Sequence, residues 1–104
     1  MKAEALKGHL DGLILAVLGT GPAHGYAVIE QLRQRSGGVF DLPEGTVYPA
    51  LHRLEADGLL ASAWETASGR RRRVYKLTRR GHAALGERRG DWQLFVQAVE
   101  GVLA

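Results

Sequence analysis

Three segments in the first half of the chain place apolar side chains three or four positions apart, which predicts three amphipathic helices. The first runs from about residue 6 to residue 18 and ends at a Gly-Thr-Gly-Pro stretch, which contains three helix-stopping residues within four positions. The second turns Tyr26, Ile29 and Leu32 inward and ends at a pair of glycines. We expect these helices to share one apolar core.

The third helix is expected over residues 46–57, where one apolar stripe consists of Val47, Ala50, Leu51 and Leu54. Thr46 is the expected capping residue, so Pro49 falls near the third helical position, where a missing N–H loses no hydrogen bond. Gly58 follows where a left-handed residue closes a helix. Tyr48, His52 and Arg53 fall off the stripe and face outward.

After residue 58 the apolar period changes from about 3.6 to 2, which predicts strands. Leu60, Ser62 and Trp64 alternate with smaller or charged residues, residues 66–69 supply a turn, and residues 74–77 are again β-prone. This pattern predicts a hairpin with a basic tip and returning arm. Residues 39–42 form either a short extended link or a single edge strand.

A fourth helix is expected from about residue 79 to residue 102, capped by Thr78. Leu85, Trp92 and Val99 recur every seven residues. They are joined by Phe95, Val96, Val102 and Leu103. At 1.5 Å per residue this helix is on the order of 36 Å long, more than a domain of this size covers alone. The stripe therefore predicts a dimer interface, and two Trp92 side chains meeting across it would form an aromatic cleft for a flat molecule.

Composition excludes several functional classes. The chain has 104 residues and no cysteine, so it forms one domain without disulfides, thiolate metal sites or cysteine nucleophiles. Its four histidines are too scattered for a metal-ligand motif, and no nucleophile with a base, paired carboxylate or phosphate loop is present. We expect no cofactor, no metal and no enzymatic activity. No apolar run is long enough for a membrane span, so a cytoplasmic protein without membrane contact is expected.

The basic residues are unevenly distributed. The formal charge is only +3, but the sequence pI is about 9.7. No acidic residue lies between Glu65 and Glu87, and that interval contains Arg70, Arg71, Arg72 and Arg73. Such a block at a hairpin suits a polyanion, although an arginine run is also compatible with a solvated surface patch.

Three helices, a hairpin and a closing helix are the order of a winged helix-turn-helix, an α+β fold that is mainly α-helical. In that architecture the third helix enters the major groove of double-stranded DNA and the hairpin, or wing, lies beside it. We expect residues 1–78 to form the DNA-binding part and residues 79–104 the dimerisation helix of one compact domain. The candidate DNA contacts are Thr46, Tyr48, Pro49, His52, Arg53, Arg70, Arg71, Arg72 and Arg73. Two alternatives stay open: Tyr48 as a half-buried core residue, and Arg53 paired with the nearby acids Glu55 or Asp57.

Several motifs in the same order resemble the PadR family of bacterial transcriptional regulators. They are His-Gly-Tyr at 24–26, Gly-Thr-Val-Tyr-Pro-Ala-Leu-His-Arg-Leu-Glu at 45–55, Gly-Leu-Leu at 58–60, Arg-Arg-Arg-Val-Tyr-Lys-Leu-Thr at 71–78, and Gly81. The resemblance covers about residues 8–85. It implies a winged-helix homodimer that represses a promoter at a palindromic operator and is released by a small molecule.

The resemblance also implies that the C-terminal helix packs against the partner's first helix. The expected dimer interface is therefore Leu6, Leu10, Leu13, Leu85, Trp92, Phe95, Val96, Val99 and Leu103. A single short C-terminal helix is similar to a subclass with a tryptophan near the position of Trp92, which makes Trp92 and Val96 the candidate ligand site. Because Val96 leaves the neighbouring turn apolar, specificity for a cationic drug is not expected, and a planar neutral or weakly acidic effector stays open.

A second functional hypothesis belongs to another class. The same dimer would serve as a protein–protein assembly module without sequence-specific DNA binding if the arginines faced solvent or an acidic partner. A sequence-dependent shift of the protein's own upstream DNA separates the two hypotheses.

Overall fold

The computed structural model describes residues 3–104. A short 3-10 helix, Ala3–Leu6, precedes four α-helices and three strands. In chain order these are α1 (Leu10–Leu18), β1 (Ala23–His24), α2 (Gly25–Arg35), α3 (Glu44–Ala56), β2 (Leu60–Ala67), β3 (Arg70–Leu77) and α4 (Arg79–Leu103). The molecule is mainly helical with one small antiparallel sheet, as the sequence pattern predicts.

Helix α3 begins two residues earlier than expected, so the predicted cap at Thr46 is wrong. Pro43 is the capping residue: it is extended, and its carbonyl oxygen accepts hydrogen bonds from the backbone N–H groups of Thr46 and Val47. Pro49 is consequently the sixth helical residue rather than the third, and the helix continues through it. A proline there removes one intrahelical hydrogen bond, and the ring lies on the exposed side of the helix. The predicted helix end is confirmed, because Gly58 has a φ of +79°.

The predicted hairpin is confirmed, but the third strand lies elsewhere than expected. Strand β3 is the centre of the sheet, between β2 and β1. Trp64 faces Arg73 across the hairpin, and Ala23 faces Tyr75 across the outer pair. Residues 39–42 form no strand. A strand of two residues such as β1 is too short to show an alternating pattern, so periodicity does not reveal it.

The core lies where the first three helices meet the sheet and the first turns of α4. Its least exposed large side chains are Tyr75, Ile14, Leu51, Leu54, Val28 and Val47. Tyr26 was expected to point inward, and this is wrong, because 56% of it is exposed. Val28 occupies the inward position of α2 instead.

Helix α4 has two different halves. Thr78 caps it as predicted, since its hydroxyl accepts a hydrogen bond from the N–H of Gly81. Gly81 and Leu85 are buried, whereas every residue from 93 to 104 is exposed. The C-terminal turns therefore lie along the surface without cover from the rest of the described chain. Among the described residues, no helix is both long and apolar enough to cross a membrane.

Candidate nucleic-acid interface

Tyr48 is held in place by the start of α2. Its ring packs against Gly25, where an added Cβ would lie 2.6 Å from the ring atom Cε1. Burial raises the pKa of Tyr48 above its ordinary value of 10.0, and the charges of Glu44 and Tyr26 act in the same direction. The phenol therefore keeps its proton at neutral pH, and its O–H remains available as a hydrogen-bond donor.

The wing carries its four arginines at the start of β3. Arg70, Arg71 and Arg73 are exposed, and Arg72 is half-buried. The Nη1 atom of Arg72 lies 2.9 Å from Nε2 of His24, whose Nδ1 accepts the hydrogen bond that caps α2 from Ala27 N–H. This pair of contacts ties the wing to the N-terminus of α2.

A cleft of about 610 Å³ separates Tyr48 from the wing. It is lined by His24, Gly25, Tyr26, Tyr48, Trp64, Arg70, Arg71, Arg72 and Arg73. The fold thus brings the four predicted arginines and the predicted tyrosine to one concave surface. Guanidinium groups and a phenolic O–H beside a helix are donors that fit the phosphate backbone of DNA.

The other predicted residues of α3 lie outside this cleft. Pro49 and His52 are exposed, and Thr46 is half-buried. Arg53 pairs with Asp11 of α1 at 2.5 Å rather than with Glu55 or Asp57. Glu44 occupies the first turn of α3, where a carboxylate suits the helix dipole but opposes a phosphate.

Four residues that line the cleft are not among the predicted site residues: His24, Gly25, Tyr26 and Trp64. His24 and Tyr26 belong to a motif that the sequence shows, but helical spacing alone assigned Tyr26 to the core. Trp64 is 55% exposed, and an aromatic residue within a basic hairpin is the signal that points to it.

Trp92 packs on α1 within its own chain. Its ring lies against Gly12, and its Nε1 donates to Nδ1 of His9 over 3.3 Å. Arg88 lies over the same ring, with Cζ 5.7 Å from the ring centroid. Val96, one turn further along, is 50% exposed.

Apart from Trp92, the predicted dimer residues fall into three groups. Leu6 and Leu85 are buried in the core of this chain, whereas Leu10 and Leu13 are half-buried on α1. The remaining large residues of α4 form an exposed stripe consisting of Phe95, Val96, Val99 and Leu103.

Comparison with known proteins assigns this chain to a family. The model of the transcriptional regulator PadR-like family matches residues 14–87, which include α2, α3, both strands of the wing and the start of α4. The chain belongs to the PadR family. PadR proteins are transcriptional regulators, a non-enzymatic class.

Relatives agree with this assignment. A transcriptional regulator of Mycobacterium tuberculosis is 47% identical over 66 residues, which cover 64% of this chain but only 59% of that relative's length. The PadR family transcription regulator from Clostridium difficile has a TM-score of 0.83 at 33% identity, covering 92% of this chain and 99% of that one. A PadR-like transcriptional regulator from Bacillus cereus has a TM-score of 0.85 at 27% identity, covering 97% of each chain. These neighbours confirm the predicted winged-helix fold class.

Proposed function

We propose that this PadR-family protein is a homodimeric repressor that binds a palindromic operator and is released by a small planar effector. One observation carries the DNA-binding part: Tyr48 and the four wing arginines border a single cleft beside α3. This arrangement supports a proposal in which α3 enters the major groove and the wing arginines contact the adjacent phosphate backbone. A DNA partner also favours a cytoplasmic location.

The proposed DNA contacts are Thr46, Tyr48, Pro49, His52 and Arg53 from α3, with Arg70, Arg71, Arg72 and Arg73 from the wing. His52 is exposed and is the candidate for a base edge, whereas the arginines suit phosphates. Arg53 would exchange Asp11 for a DNA phosphate, which replaces one anionic partner by another.

Dimerisation is supported by the uncovered half of α4. Phe95, Val99 and Leu103 are exposed by 60%, 37% and 79%, and they border an apolar groove of about 250 Å³. A monomeric protein rarely leaves such a stripe in water. A second copy covers it if α4 packs against the partner's α4 and against Leu10 and Leu13 of the partner's α1. Residues 79–104 would then form the dimerisation helix and residues 1–78 the DNA-binding part.

The effector is proposed to bind at Trp92 and Val96. The half-buried indole and the exposed valine lie one turn apart on the same helix face. In a two-fold dimer the two copies of this pair would offer an apolar slot for a planar neutral or weakly acidic compound.

DNA binding is tested by titrating a fluorescent duplex from the region upstream of the protein's own gene. If about 6–8 phosphates are neutralised per dimer, log K falls with log salt at a slope of roughly −5 to −7. Replacing all four wing arginines by Ala should flatten this slope. Equal binding to the upstream duplex and to a scrambled one would contradict a sequence-specific repressor and favour the assembly module.

Effector binding is tested by tryptophan fluorescence with 2-naphthol and 2-naphthoic acid. Trp64→Phe removes the second emitter, so quenching in that variant reports Trp92 directly. Compounds that quench Trp92 should also release the upstream duplex. Quenching without release would contradict the effector role.

A further inference from the structure

Trp64 is exposed by 55% although it is one of the largest side chains of the protein. It lies on the same face of the hairpin as the buried residues Leu60 and Tyr75, but beyond the edge of the core. An indole exposed to water does not contribute the folding free energy that its burial would give. Its position therefore needs a reason other than core packing.

Two guanidinium groups share this indole. Arg73 is directly opposite Trp64 in the hairpin register, and Arg71 follows two residues away on the same face. The Cζ atoms lie 5.5 Å and 4.8 Å from the ring centroid, for Arg73 and Arg71 respectively. Both distances are within the range of a cation–π interaction.

The two arginines have different further contacts. Arg73 donates from Nε to Oγ of Ser62 over 2.7 Å, and its Nη2 lies 3.6 Å from Oε1 of Glu55. Within residues 3–104, the Arg71 side chain makes no hydrogen bond or ion pair, and its guanidinium contacts Trp64. Arg73 therefore braces the wing against α3, whereas Arg71 keeps an unneutralised charge.

We infer that Trp64 is a positioning residue that holds the Arg71 guanidinium ready for a DNA phosphate. A cation–π contact uses none of the guanidinium's N–H groups as hydrogen-bond donors to another residue, so these donors stay available to a phosphate. An arginine fixed before binding also loses less side-chain freedom when the complex forms. The inference rests on the proposed function, because it assigns a role within the same DNA surface.

The experiment measures Kd for a random-sequence 30-base-pair duplex with the full-length protein. Arg71→Ala and Trp64→Ala should each weaken binding roughly three- to tenfold. The double variant should lose no more affinity than Arg71→Ala alone, because the remaining neighbour of the indole, Arg73, is held by Ser62 and Glu55 as well. Trp64→Phe should retain part of the affinity, since phenylalanine also offers a π-face.

Arg70 provides the matched control. It lies on the opposite face of the hairpin, paired with Ala67. The fold-losses of DNA affinity caused by Trp64→Ala and by Arg70→Ala should therefore multiply in the double variant. If the losses from Trp64→Ala and Arg71→Ala also multiply, Trp64 acts independently of Arg71 and the inference is wrong. If the unmodified protein binds no duplex, the proposed function itself fails. Thermal unfolding of Trp64→Ala should stay close to that of the parent, because the indole is outside the core.

Discussion

The ring of Tyr48 lies directly on the backbone of Gly25. An added Cβ on Gly25 would lie 2.6 Å from Cε1 and 3.0 Å from the hydroxyl oxygen of Tyr48. The φ of Gly25 is not among the positive values of the chain, so this glycine is needed for space rather than for its backbone conformation. Gly25, the first residue of α2, therefore sets the position of Tyr48 on α3, the helix proposed to enter the major groove.

Gly25→Ala should move the Tyr48 ring and weaken binding of the upstream duplex. We expect a loss of about 1–2 kcal/mol, or roughly 5- to 30-fold in Kd, comparable to the loss of one specific DNA contact. The measurement is a titration of the fluorescent upstream duplex, followed by its fluorescence anisotropy. Tyr48→Ala removes the steric conflict, so the double variant should bind like Tyr48→Ala; a further loss in the double variant would show that Gly25 acts by another route.

Much of the fold was predictable because long amphipathic helices and a hairpin carry strong periodic signals. Tyr26 shows where this reasoning fails: helical spacing assigns it to the core, but it is 56% exposed and Val28 is fully buried. Spacing identifies a face, and tertiary packing decides which edge of that face is covered.

The residue types of the candidate site were predictable from the sequence, but the contacts that these residues make with distant parts of the chain were not. The arginine run and outward residues of α3 were visible in the sequence. The contacts of Arg53 with Asp11 and of Arg72 with His24 join residues 42 and 48 positions apart. Such distant contacts depend on the packing of whole elements, which local spacing does not define.

Gly81 should be the most sensitive glycine of α4. An added Cβ would overlap with the backbone carbonyl oxygen of Leu59, which a side-chain movement cannot relieve. We expect Gly81→Ala to lower the free energy of unfolding by about 2–3 kcal/mol, seen as a fall in Tm of roughly 10–20 °C. Gly86→Ala is the matched control in the same helix, since open space surrounds that position. It should raise stability by up to about 1 kcal/mol, and equal behaviour of the two variants would refute the packing argument.

Tyr75 should make the protein sensitive to alkali. Burial raises the pKa of Tyr75, with Glu55 and Tyr48 acting in the same direction and Arg73 opposing them. The unfolded chain ionises near pH 10.0 and the folded chain higher, so full stability is present below pH 10 and is lost as the pH rises. Each such tyrosine adds a slope of at most about 1.4 kcal/mol per pH unit. Urea unfolding between pH 8 and pH 11.5 should show a shallower decline for Tyr75→Phe, and an unchanged decline would contradict this assignment.

Phe95 offers the sharpest test of the proposed dimer. Placing a charge on the exposed stripe of α4 should separate the chains, because a two-fold interface contains every substituted side chain twice. Each Phe95 is 60% exposed in the single chain, so losing the burial of both at the interface costs about 2–4 kcal/mol, and placing two charges there costs more. Phe95→Asp should therefore be monomeric in light scattering at micromolar concentration and bind the upstream duplex at least 100-fold more weakly. Gln97→Asp adds the same charge about 200° around the helix and should remain dimeric. If Phe95→Asp and Gln97→Asp have the same mass as the parent, the interface lies elsewhere on the molecule.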